Sequence, residues 1–298
     1  MTSRDQPPGA DGADARSGAR SSGRRERRWQ HFGWLLFALP LLLIVSGLAL
    51  LRVDEPAHRQ QPAPAQLVRQ PPPAHSFPAG VFSAELPPGG RIPATGTGTF
   101  AVLPGTSPVV GGGRLLRYTV EVENGVQLPE GNDTFGALVQ DTLSDPRSWT
   151  NPAAATDRGP VALQRVDGGR PDFRVTLVSQ RTAREKCGFQ EGLPFDTSCE
   201  VGGRQFLNAA RWVRGAVAFD GDTGTYRHYV VNHEVGHALG LKHVGCPAPG
   251  ALAPTMMQQT FGTSNDVLHD LNEQDSQGAA IPRDGAVCRP SAWPFPTG

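Results

Sequence analysis

The chain has 298 residues, enough for one or two folded domains. Its 28 Lys and Arg balance its 28 Asp and Glu, so no global charge points to a nucleic-acid partner. The four cysteines include no C-x-x-C pair, which argues against a thiolate metal cluster and fits a disulfide-forming, oxidising compartment.

Residues 1–31 are polar and rich in Gly, Ser and Arg, and read as a disordered basic tail. Phe32–Leu51 is almost unbroken apolar sequence without a charge. Its length of about 20 residues suits the hydrocarbon core of a bilayer, so residues 32–52 are expected to form one transmembrane helix. The Arg cluster before it and Asp54 and Glu55 after it place the N-terminus in the cytoplasm and the rest outside. A cleaved signal peptide is the competing reading, but the run is long for one and no small-x-small site closes it. Residues 53–80, with Pro71-Pro72-Pro73, read as an extended tether that lifts residues 81–298 off the membrane, towards any cell wall.

The folded part is expected to begin between Val81 and Arg114. Leu115–Val122 alternates apolar and polar residues as a half-buried strand does, and Asn124-Gly125 then turns the chain. Thr134 is positioned to cap a helix ending near Asp145-Pro146. Leu163–Val166 and Phe173–Val178 read as two strands around the turn Asp167-Gly168-Gly169. Phe206–Val213 and Ala216–Phe219 are further strand candidates. Asp220-Gly221-Asp222 is a turn whose oxygens suit a solvated loop better than a calcium site. Thr225–Leu239 then reads as one helix, with Tyr226, Val230, His233 and His237 along one side.

That helix begins the motif His233-Glu234-x-x-His237-x-x-Gly240-x-x-His243, which runs past its end, so three of the chain's eight histidines fall within eleven residues. His233 and His237 are four apart and share a helix face, where two imidazoles can grip one Zn2+. Gly240 can end the helix in a left-handed conformation and let the chain return His243 as third ligand. Three protein ligands leave a position for water, the catalytic arrangement of zinc. Glu234 stays off the metal as general base. Downstream, Met256 and Met257 lie in Ala253–Gln259.

The pattern of residues 233–243, with the methionines after it, resembles the metzincin clan of zinc endopeptidases. The whole chain is similar to an uncharacterised bacterial family of single-span, membrane-anchored metzincin-like proteins. The resemblance implies an α+β fold: a twisted mixed sheet, two main helices of which the second carries the motif, and a small irregular C-terminal subdomain. It also implies a methionine beneath the zinc, with Met256 favoured over Met257. Hydrolysis of a protein or peptide substrate laid along a sheet edge would follow, with Ala216–Phe219 as the candidate edge. Several metzincins place a tyrosine just after the methionine turn; here stand Gln258, Gln259 and Thr260.

Of three possible connectivities, neighbour pairing is preferred, Cys187–Cys199 and Cys246–Cys288, the second stapling the C-terminal tail to the chain just past His243. Glu273 is a rival third ligand, because some zinc proteases take a Glu from a later helix. Two other activities stay open: a catalytically idle zinc-bearing domain that binds cell-wall material or a protein, and an amidase acting on peptidoglycan peptides.

Overall fold

The computed structural model describes residues 81–153, 159–188, 195–272 and 281–297. The expected tail, membrane span and tether, and Glu273, lie outside the described residues. Among the described residues no helix is long and apolar enough to cross a membrane.

The fold is α+β. Among the described residues seven strands form one mixed sheet: β1 (Phe100–Val102), β2 (Val110–Gly111), β3 (Arg114–Glu123), β4 (Val161–Arg165), β5 (Phe173–Val178), β6 (Cys199–Val201) and β7 (Arg204–Asn208). Their order is β2-β4-β3-β5-β7-β6, with β1 also on β3. The inner pairs β4–β3, β3–β5 and β5–β7 are parallel, while β1, β2 and β6 join antiparallel. The five helices described are α1 (Asn132–Ser144), α2 (Gln180–Lys186), α3 (Ala209–Arg214), α4 (Thr223–Ala238) and α5 (Asn265–Asn272).

β3 explains the layering. Val120 and Val122 join the main core with Phe135, Val139 and Leu143 of α1 and with Tyr226, Val230 and Val231 of α4. The alternate residues Glu121 and Glu123 face the other way. There Glu121 pairs with Arg204 and Arg174, and Glu123 accepts from the Ser179 and Gly98 amides and the Thr182 hydroxyl. Those donors hold the Glu123 carboxyl below the usual carboxylate range against the opposing effect of burial.

Four sequence expectations change. The two strands around Asp167–Gly169 do not pair with each other: β4 lies against Arg114–Tyr118 on one edge of β3, and β5 against Tyr118–Val122 on the other. Thr134 is inside α1, whose N-cap is Gly131, and its hydroxyl donates back to the Gly131 carbonyl. The apolar run Phe206–Val213 is divided at Asn208, whose side chain accepts from the Ala210 amide and so ends β7 and starts α3. Ala216–Phe219 is no strand: Val217–Phe219 is a 3-10 turn leading into α4. The edge strand that packs beside α4 is β6.

The C-terminal part has its own core around Met257, Phe261, Leu268 and Ile281, closed by Cys246–Cys288. Cys187–Cys199 joins the end of α2 to β6. Both pairings are those expected from the sequence. Loop entropy gives the Cys246–Cys288 bridge, closing 42 residues, about 4 kcal/mol, against about 3 kcal/mol for the 12-residue Cys187–Cys199 loop. Replacing Cys246 and Cys288 by Ser is therefore expected to lower unfolding free energy in denaturant melts more than the same change at Cys187 and Cys199.

Candidate metal centre and active site

The centre is built on α4. Asp222 caps it, its side chain accepting from the Thr225 amide at 2.9 Å and from the Thr225 hydroxyl, and these bonds hold the Asp222 carboxyl below its ordinary range. Tyr226, Tyr229, Val230, His233 and Glu234 are all buried. The helix ends in a Schellman motif: the Leu241 amide donates to the Gly236 carbonyl, and the Gly240 amide to His237. Gly240 has φ of 92°, a conformation that costs glycine little and a β-carbon-bearing residue more. This turn reverses the chain and sets His243 against the helix.

The three imidazoles then meet. The Nε2 atoms of His237 and His243 are 3.2 Å apart, and those of His243 and His233 are 3.3 Å apart. The other ring nitrogens are oriented by backbone. His233 Nδ1 lies 2.8 Å from the Thr255 carbonyl and His237 Nδ1 lies 3.0 Å from the Leu241 carbonyl. A carbonyl only accepts, so both rings carry their proton on Nδ1 and present an Nε2 lone pair to His243. A proton on His243 could answer one lone pair, not both. One ligand atom from each residue falls within 4.8 Å of the others, and the group can hold a metal ion. Burial, followed by the charges of His237 and His243, pushes His233 well below its ordinary pKa, which keeps it neutral and fit to ligate.

Glu234 sits between the first two histidines in sequence and is 2% exposed. Among the described residues its Oε2 has no hydrogen-bond partner. Burial raises its pKa well above the carboxylate range, and Glu200 on β6 adds to this. Glu200, His237 and Phe173 line a cavity of about 260 Å3 between the end of α4 and the sheet.

Met256 and Met257 separate. A β-carbon on Gly236 would collide with the Met256 sulfur and stand 3.0 Å from the Trp149 ring, so Met256 packs directly on the helix that carries His233 and His237. Met257 is fully buried in the C-terminal core. Gly236→Val should therefore overpack this contact and cost about 1–3 kcal/mol in denaturant unfolding; a variant as stable as the wild type would contradict the packing.

Several residues around the centre lie outside the fixed positions of the motif. The carbonyls of Thr255 and Leu241 act through backbone alone. Tyr229, one turn before His233, donates its hydroxyl to the Met257 carbonyl at 2.9 Å and accepts from the Gln259 amide at 2.8 Å. It ties the methionine segment to α4. Asn232 fastens the helix on its other side, taking the Ser148 hydroxyl and the Trp149 indole N–H and donating to Ala292. Tyr229 is detectable in the sequence as an i−4 neighbour of His233 on one helix face; nothing in the sequence distinguishes Asn232 from any polar helix residue.

A family model described as "Protein of unknown function (DUF3152)" matches residues 86–296. The chain belongs to this family. The DUF3152 region thus contains the whole sheet, α4 and all three histidines. The chain is also 30% identical over 123 residues to matrix metalloproteinase-26 of Homo sapiens, a stretch covering 38% of this chain and 41% of that protein. The chain therefore spans less than half of this relative's length, and the match hints at a metalloprotease relationship.

Proposed function

We propose that the chain is a metzincin-type, zinc-dependent endopeptidase. The observation that carries this reading is the convergence of three Nε2 atoms while two Nδ1 protons are spent on backbone carbonyls. For tetrahedral zinc with bonds of about 2.0–2.1 Å, ligand nitrogens stand about 3.3–3.4 Å apart, and the separations of 3.2 and 3.3 Å agree. The donor set, three imidazoles of which two have their outer nitrogens oriented by backbone carbonyls, is one that zinc favours.

His233, His237 and His243 would hold the ion. When bound, zinc supplies Lewis-acid charge that acidifies water and polarises a carbonyl. Glu234, buried and with one oxygen unpartnered, takes a proton from the attacking water and passes it to the leaving amine nitrogen. The edge strand β6 offers backbone groups on its open side for an extended peptide, replacing the Ala216–Phe219 edge expected from sequence. Residues 32–52 anchor the chain in the cell membrane, with the catalytic domain outside, where its two disulfides persist.

The test is a peptide-library digest by the full chain. Cleavage by the wild type, abolished by a chelator and restored by Zn2+, is the expected result. Bound zinc with no cleavage of any peptide would favour the idle, binding-domain reading instead.

A further inference from the structure

A buried amide lies between α4 and the sheet, and nothing in the chemistry above uses it. Gln205, the second residue of β7, is fully buried. Neither its Oε1 nor its Nε2 has a hydrogen-bond partner among the described residues. Its strand partner Val175, and Leu207 two residues on, belong to the core that takes Tyr226 and Val230 of α4. Gln205 therefore faces α4 rather than the outer face of the sheet. An amide in such a place is costly unless something polar meets it.

The direction of α4 says what meets it. The helix starts beside α3, where the Arg227 side chain donates to the Trp212 carbonyl at 2.9 Å, and α3 follows the end of β7. It ends beside Gly203, just before β7, where His237 and Ala238 share a cavity with Gly203 and Glu200. The helix thus runs against the strand. Tyr226, Val230 and Glu234 are four apart and share the face that packs on the sheet. Glu234 is three residues of helix, about 4.5 Å, back from His237. Gln205 is two residues of strand, about 7 Å, on from Gly203. The two side chains therefore approach one another across the interface. The Oε2 of Glu234 is also buried and unpartnered. Three such polar atoms are what one buried water needs as partners. We infer that Gln205 is a positioning residue for Glu234: a buried water accepts from the Gln205 amide N–H and donates to Glu234 Oε2, fixing the carboxyl so that its other oxygen serves the three-histidine centre. The inference rests on the endopeptidase reading above and adds to it a residue far from the motif in sequence.

The test uses the purified full chain loaded with Zn2+. It compares the wild type with Gln205→Met and Gln205→Leu, which fill similar space without a strong donor or acceptor, and with Glu234→Gln alone and joined to Gln205→Met. For each, kcat and KM on one cleaved peptide are read together with zinc content and denaturant unfolding. Gln205→Met should lower kcat by about 10–100-fold. Its KM and zinc content should stay within about twofold of the wild type, and its unfolding midpoint should not fall. In Glu234→Gln no base is left to position, so adding Gln205→Met should change the residual rate by less than about twofold. Gln205→Leu should behave as Gln205→Met does, and it replaces that variant if Met does not fold. An unchanged kcat in a folded variant, a loss that follows zinc or stability, or losses that multiply in the double variant overturns the positioning role and leaves hydrolysis standing. Failure of both Gln205 variants to fold makes the residue a structural one and overturns it too. No cleavage by the wild type overturns the endopeptidase reading and the role of Gln205 with it.

Discussion

Glu234→Gln is expected to lower kcat/KM by about 10²–10⁴-fold while the protein keeps its metal. The substitution preserves shape and removes only the ability to accept a proton. Glu234 contributes nothing to the three-imidazole group, so metal content should stay at the wild-type level. Its Oε2 has no protein partner to lose, and the buried amide is spared the desolvation that a carboxylate suffers at 2% exposure. Stability should then be equal to or above that of the wild type. The pairing of lost turnover with retained metal and undiminished stability is what separates a general base from a structural residue. A variant that keeps full activity would remove Glu234 from the mechanism.

The second large effect concerns the third ligand. His243→Ala should drop metal affinity by more than the 10–100-fold typical of losing an outer partner, whereas Glu273→Ala should leave it unchanged. The structural reason is the Schellman turn: with Gly240 at φ of 92° the chain reverses directly, and His243 Nε2 arrives 3.2 and 3.3 Å from the other two. Metal content after dialysis against a weak chelator reads both variants. Loss of metal in Glu273→Ala with retention in His243→Ala would assign the centre to a different class of zinc protease.

The ligand spacing was legible in the sequence because helix geometry turns a four-residue interval into a shared face, and a glycine at the right place permits the turn. What orients the ligands was not legible. Thr255 and Leu241 contribute carbonyls, which every residue possesses, and only the fold says where they point. The strand Arg114–Glu123 was readable because it alternates between an apolar core face and a face of buried ionic and hydroxyl groups. Its partners were not, since β4 and β5 share β3 end to end through long-range pairing. The Phe206–Val213 run misled for a local reason: one buried Asn208 decides the change from strand to helix, and a single cap inside an apolar run gives a weak signal. Ala216–Phe219 misled because four residues are too few to tell a strand from a 3-10 turn.

The most direct measurement is X-ray absorption at the zinc edge on the purified full chain after equilibration with Zn2+. One zinc per chain with three imidazole nitrogens at about 2.0–2.1 Å is the result expected, reduced by a ligand in His237→Ala. A chain that binds no zinc, or whose zinc shows sulfur or fewer than two imidazole neighbours, would contradict the central claim.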